Sequence, residues 1–345
     1  VIDRIIDAFN DSGISYWIDR EGLDPGVTYA DRISRNAEIY DLTGGLGVDS
    51  WSFARSGRKV HYNEKDEVLA RCAKANFRLL GVPDISVTSL EAGVDSIHTL
   101  LGWCVKDDIV YLDPSRRDRT GSKVFLMEDC RPDVISLKDE IFERAGNILI
   151  KLSPMIDISM VADRLGKEMR EIHVIGAGKE CKELLVWLER GWNDGYSVIV
   201  SDEDGTFSFT REQEANAQTS FPCPEETFVG KYLYEPGPAY LKAGAFKLLC
   251  KTRNLTKLGR FTHLYLSETT GHRILEVLHL NGSNIKLLGK RYPRCEVTAR
   301  NVRMSSEELR RRMGVSGGGE THIYALTCDF IDGTSEKLMM VTSRP

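Results

Sequence analysis

The chain has 345 residues, 41% hydrophobic and 28% charged, the composition of a soluble globular protein long enough for two domains. No run approaches the eighteen or so apolar residues a membrane span needs, and residues 1–20 are charged throughout rather than patterned as a secretory signal. The net charge of −5 is unevenly divided, because residues 231–345 carry 19 Lys+Arg against 10 Asp+Glu while residues 1–230 carry 27 against 41.

Residues 1–36 read as short helical pieces. Ile2, Ile5, Ile6 and Phe9 share a helical face, and Asp11-Ser-Gly13 and Gly22-Leu-Asp-Pro-Gly26 break it. With Val1 rather than Met at the start, an upstream piece is expected to be missing. From 37 to 201, strand-like apolar runs alternate with helical stretches. Strands are expected at 38–42, 59–63, 84–88, 108–112, 147–152, 171–175 and 196–200, with helices around 48–55, 66–80, 93–102 and 157–167. This alternation predicts an α/β fold, a doubly wound and largely parallel sheet. Residues 180–190 read as a helix leading through Gly191-Trp192 into the last strand. Residues 202–230 read as a polar linker. Beyond it, the sequence predicts helices at 239–250 and 271–279, a strand at 262–267, and a final strand, helix, glycine turn, strand and strand at 296–302, 305–313, 317–319, 322–327 and 337–341. Ser305-Ser-Glu-Glu308 has the form of a capping box.

The stretch Asp41-Leu-Thr-Gly-Gly-Leu-Gly-Val-Asp49 closes the first strand and opens the first helix. Glycines let backbone approach a ligand, and a helix start offers free N–H groups. A dinucleotide loop would read G-x-G-x-x-G and receive a pyrophosphate. Two flanking carboxylates would repel that group and suit a cationic ligand with an amino group, such as S-adenosylmethionine. In this reading Asp41 holds the methionine ammonium, Gly44, Gly45 and Gly47 give close backbone approach, and Glu64, 23 residues on, takes the ribose hydroxyls. Ser89 or Glu91, after the third strand, would meet the adenine amine. A structural glycine turn, or a dinucleotide enzyme with a degenerate loop, are the alternatives. Asp49 reads as a first-turn helix acid.

Asp113-Pro-Ser-Arg-Arg117 follows the fourth strand, where reactive groups of open α/β sheets gather. Asp113 and the carbonyl near Pro114 would orient an acceptor. Ser115 and Arg116 stand where enzymes that methylate base amines often carry proline and an aromatic. Arg116 and Arg117 would hold phosphate or stack on a base, or else pair with Glu128 and Asp129. After the fifth strand the chain reads Ile150-Lys-Leu-Ser-Pro154. Ser153 occupies the place of the cysteine that covalent uracil methylation requires, so in-line transfer to nitrogen or oxygen is expected. Cys130 reads as a structural thiol and Lys151 as a satisfied core-edge lysine. The eight cysteines form no C-x-x-C and the seven histidines no paired spacing. No metal site is expected, and reduced thiols in a cytoplasmic protein are the expectation.

Together with Tyr232-Leu-Tyr-Glu-Pro-Gly-Pro-Ala-Tyr-Leu-Lys-Ala-Gly244, these motifs resemble a family of bacterial class I S-adenosylmethionine-dependent methyltransferases with a THUMP-like C-terminal domain. The resemblance runs from about residue 37 to the end. It implies a Rossmann-like, seven-stranded methyltransferase domain at 37–201, a linker at 202–230, a small ferredoxin-like domain at 231–275 and a THUMP-like RNA-binding domain at 276–345. It also assigns cofactor contacts to Asp41, Gly44, Gly45, Gly47 and Glu64, and the catalytic loop to Asp113, Pro114, Ser115 and Arg116. The departure from an Asp-Pro-Pro-aromatic motif leaves the acceptor atom open. The expected function is methylation of tRNA or rRNA, with the basic C-terminal region docking the nucleic acid. An RNA-binding protein with a decayed site, or a small-molecule methyltransferase with a dimerising tail, are the rivals.

Overall fold

A computed structural model of the chain describes residues 36–115, 130–203 and 205–343. The expected helical pieces before residue 36, together with Arg116, Arg117, Glu128 and Asp129, lie outside the described residues. The chain divides into two compact units, Val1–Ser208 and Phe209–Pro345.

The first unit is built on strands β1 (Ile39–Asp41), β2 (Val60–Asn63), β3 (Ser86–Thr88), β4 (Ile109–Leu112), β5 (Asn147–Leu152), β6 (Met169–Ala177), β7 (Glu180–Glu189) and β8 (Ser197–Asp202), and on β9 (Gly205–Thr210), which runs across the boundary. Their order in the sheet is β3-β2-β1-β4-β5-β7-β6-β8-β9. The first five strands pair in parallel. Val110, Leu112, Ile148 and Ile150 are fully buried, as expected of strands covered on both faces. Helices α1 (Val48–Arg55), α2 (Glu67–Leu79), α3 (Val94–Leu100), α4 (Val134–Arg144) and α5 (Ile158–Leu165) connect them. Asp66, Asp133 and Asp157 cap α2, α4 and α5 by accepting two backbone N–H bonds each. One core layer gathers Trp51, Tyr62, Phe77, Tyr111 and Trp187.

Residues 180–190 do not form the expected helix. They form β7, antiparallel to both β5 and β6. Leu184, Val186 and Leu188 have no exposure, and two neighbouring strands satisfy the backbone on both sides, which outweighs the helix propensity of Glu, Lys and Leu. The expected last strand is β8, which pairs in parallel with β6. The seven-strand order with an antiparallel β7 is that of the methyltransferase fold, and β8 and β9 extend it.

The second unit contains helix α6 (Arg211–Asn216), β10 (Tyr232–Tyr234), α7 (Pro238–Ala243), α8 (Leu248–Thr252), β11 (Thr256–Lys257), β12 (Tyr265–Ser267), β13 (His272–His279), α9 (Gly282–Arg291), β14 (Glu296–Arg300), α10 (Ser306–Met313), β15 (Thr321–Asp329) and β16 (Ser335–Ser343). Its sheet runs β11-β12-β10-β13-β16-β15-β14, with only β14 and β15 parallel. The expected helix at 239–250 is divided, because Gly244 takes a left-handed φ of 77° and ends α7. The expected helix at 271–279 is instead strand β13, held between β10 and β16. Ser305 caps α10 through the Glu308 N–H at 3.0 Å. A layer of Ile285, Leu288, Leu309 and Met313 packs α9 and α10 on the sheet residues Val297, Ile323 and Val341.

Candidate active site

The glycine loop closes on itself through the Gly47 N–H and the Gly44 carbonyl at 2.7 Å, and its neighbours hold it in place. Gly44 N–H donates to the Asn63 carbonyl at 2.8 Å. A Cβ there would lie 2.1 Å from the Tyr62 ring, so no larger residue fits without moving a buried aromatic. Gly47 has a φ of 82° and faces Phe77, whose ring a Cβ would meet at 2.5 Å. Tyr62 donates its hydroxyl to the Gly45 carbonyl at 2.5 Å. Glu64 accepts the Gly45 N–H and the Asp66 N–H, both at 2.9 Å. Each Glu64 oxygen uses one lone pair on backbone and keeps one for a ligand, so the carboxylate is fixed against the loop.

Asp41 is 1% exposed. Its oxygens accept the Ser50 hydroxyl at 2.6 Å and the Thr43 N–H at 3.1 Å. Burial, and secondarily the nearby Asp49, push its carboxyl up to about 7, against the Ser50 and Thr43 bonds that favour ionisation. These contacts give Asp41 the work of joining β1, the loop and α1. Ser89 turns its hydroxyl to the Glu64 carbonyl at 2.8 Å.

Asn63 escaped the sequence reading. Its amide donates to the carbonyls of Leu42 and Leu90, and its oxygen accepts from Leu90 N–H and the Thr88 hydroxyl. The carboxyl ends of β1, β2 and β3 are thus tied by one side chain that is 2% exposed. The only signal was a polar residue closing an apolar strand beside Glu64.

The second constellation centres on Lys151, at the end of β5. Its ammonium lies 2.6 Å from Asp49 and 2.9 Å from Asp113. Tyr111 donates its hydroxyl to the same Asp49 oxygen at 2.9 Å. Burial alone would depress the Lys151 ammonium, but Asp49, Asp113 and Glu183 overcome it and hold it above the ordinary lysine range. Burial, with repulsion from Asp49 and Asp113, pushes Glu183 up to about 7 despite the pull of Lys151. Lys151, read from sequence as a satisfied core-edge lysine, is the partner that sets Asp113, and Asp49, read as a helix acid, shares its ammonium. Asp113 N–H also donates to the Thr43 hydroxyl at 2.6 Å, which joins the Asp-Pro loop to the glycine loop. Pro114 is buried and Ser115 exposed. Ser115 forms a two-way backbone bridge with Arg131 at 2.7 and 3.0 Å. Of the predicted catalytic group, Arg116 lies outside the described residues. Ser153 accepts the Met155 N–H at 3.2 Å, and Cys130 is 7% exposed.

Away from this site, His98 of α3 lies 3.4 Å from Glu140 and 3.8 Å from Glu143 of α4, a surface polar cluster assembled by tertiary contact. In the second unit, Glu235 of the Tyr-Glu-Pro segment accepts from Arg300 at 2.6 Å and from the Tyr324 hydroxyl at 3.2 Å. Arg253 stacks 4.8 Å from the Tyr240 ring and donates to its hydroxyl at 2.8 Å. That motif therefore braces its own fold. Lys286, Lys290, Arg294, Arg303 and Arg311 are exposed. Among the described residues no helix is long and apolar enough to cross a membrane.

This fold and site define a methyltransferase-type α/β unit followed by a smaller α+β region. Residues 232–272 match the model of a ferredoxin-like domain and residues 269–344 that of a THUMP domain-like module. The chain is 29% identical to a candidate methyltransferase from Porphyromonas gingivalis W83, with a TM-score of 0.75 over 94% of this chain and 81% of that one. It shares 18% identity with an S-adenosylmethionine-dependent methyltransferase from Neisseria gonorrhoeae, at a TM-score of 0.35 over 51% of this chain and 71% of that one. An RNA methyltransferase from Salinibacter ruber is 16% identical, at a TM-score of 0.31 over 50% and 92%. No curated protein matches the chain.

Proposed function

We propose that this chain is an S-adenosylmethionine-dependent methyltransferase that modifies tRNA or rRNA by direct transfer to a base nitrogen or ribose oxygen. The observation that carries this reading is the rigid cradle of Gly44, Gly45 and Gly47 against Tyr62 and Phe77, with Glu64 locked to Gly45. The residues fit the cofactor. A side chain at Gly44 would fill the cradle, the free lone pairs of Glu64 suit vicinal hydroxyls, and the carboxylates around Lys151 favour a cation. Bound S-adenosylmethionine supplies a methyl group activated by its sulfonium. The protein's part is positioning. In this assignment Asp41 acts by holding the loop, and through it the place of the methionine ammonium. Ser89 fixes the edge where adenine lies. Asp113, kept in place by Lys151 and Thr43, presents a carboxylate to the acceptor beside Pro114 and Ser115. Arg116 and the basic second unit guide the nucleic acid. Ser153 in place of a thiol supports transfer without a covalent intermediate on a pyrimidine.

The Porphyromonas gingivalis relative supports the methyl-transfer reading, and the THUMP domain-like module supports an RNA acceptor. Calorimetric titration with S-adenosylmethionine, with NAD as the control, tests the cofactor. Micromolar binding of the former alone is expected. NAD binding, or binding of neither, would refute the assignment.

A further inference from the structure

Glu183 is a half-buried carboxylate on β7 that the sequence reading passed over inside an expected helix. Lys151 pairs with Leu185 and Leu152 with Leu184, so Glu183 lies just past the carboxyl end of β5. By strand alternation it shares the face of Leu185 and Lys151. Lys151, Asp49 and Asp113 act on it through space, and no donor among the described residues hydrogen-bonds it. Lys151 already gives its short bonds to Asp49 and Asp113. Three carboxylates therefore share one ammonium, and Glu183 is the one served only at a distance.

A half-buried carboxylate in that position is stabilised by a second cation. The cofactor reading puts the methyl-donating centre beside the acceptor at Asp113, and Asp113 shares the Lys151 ammonium with Glu183. A sulfonium carries positive charge without any N–H, so its partner needs only charge and proximity. We propose that Glu183 is a specificity-determining residue whose carboxylate faces the sulfonium of bound S-adenosylmethionine and selects the charged cofactor over the neutral thioether left after transfer. This rests on the cofactor reading given above. The raised carboxyl of Glu183 agrees with it, since the site as it stands holds that charge at a cost which an arriving cation relieves. The same preference speeds turnover, because loss of the methyl group removes the charge that holds the product.

The test is calorimetry near pH 8 with S-adenosylmethionine, S-adenosylhomocysteine and an analogue bearing an amine in place of the methylsulfonium. The full chain, Glu183→Gln and Glu183→Asp are compared, with thermal unfolding as the check on folding. The wild-type chain should prefer the two cationic ligands over the thioether by about tenfold, the effect of one partly screened charge at close range. Glu183→Gln should erase that preference while leaving thioether affinity within about twofold, and Glu183→Asp should keep most of it. Equal wild-type affinity for charged and neutral ligands would overturn the proposal without any variant. So would a preference that survives Glu183→Gln, which would turn Glu183 toward the acceptor instead. If neither adenosyl ligand binds the wild-type chain, the cofactor reading fails first and takes this one with it.

Discussion

The buried Asp41 makes the folding of the first unit depend on pH in a defined direction. Its carboxyl titrates near 3.8 when unfolded and near 7 in the fold, chiefly through burial. Between those values the folded state binds the extra proton. The contribution is therefore fully present below about pH 3.8 and is lost as pH rises through about 7. At about 1.4 kcal/mol for each pH unit between the two values, the ceiling is about 4 kcal/mol. Asp41→Asn keeps an oxygen for the Thr43 N–H and a polar partner for Ser50 but cannot ionise. Relative to wild type, the variant should gain up to about 4 kcal/mol between pH 4 and 7, with no further change at higher pH. Urea unfolding followed by tryptophan fluorescence measures this unit alone, because every tryptophan of the chain precedes Phe209. A difference between variant and wild type that stays constant from about pH 4 to 8 would show that Asp41 is an ordinary ionised carboxylate in the fold, and the reasoning from burial would be wrong.

Other outcomes follow from the same geometry. Gly44→Ala drives a methyl group into the Tyr62 ring and should cost about 2–3 kcal/mol of stability and abolish measurable cofactor binding; a variant that binds normally would show that the cradle does not need close backbone approach. Lys151→Met leaves Asp49, Asp113 and Glu183 without their cation and should lower stability by about 3 kcal/mol at pH 8. That loss should shrink in acid as the carboxylates protonate, and a loss independent of pH would exclude the ion-pair account. RNA affinity should fall steeply with salt if exposed lysines and arginines of the second unit meet phosphates. Cofactor affinity should fall much less, and measuring both across a salt series on one sample separates the two. Salt-indifferent RNA binding would remove the basic surface as the reader.

The parallel half of the first sheet was legible because its strands are buried on both faces and stand out as apolar runs between helical stretches. The glycine loop was legible because left-handed and close-packed backbone admits few residues, and Gly47 shows both demands. Residues 180–190 and 271–279 misled because Leu and Val at spacings of three and four suit either element, and only the flanking strands decide. The sequence could name Asp113 but not its keeper. Lys151 and Asp49 are 102 positions apart, and nothing local announces that they meet. Ser89 stands where a ligand contact was expected, yet its hydroxyl serves the Glu64 carbonyl, a use visible only once β2 and β3 are side by side. Arg116 and Arg117 remain readings of the sequence.

The Asn63 amide ties three loops that three separate strands deliver. A rim stapled at its centre cannot adapt one edge at a time. Recruiting a different nucleotide-like ligand by changing the glycine loop alone would pull on Leu42 and, through Asn63, on Leu90 and the far edge of the rim. Divergence at this rim would then come as coordinated replacements around position 63 rather than as a series of independent ones, and an engineer grafting a new specificity onto it would need to move all three loops together.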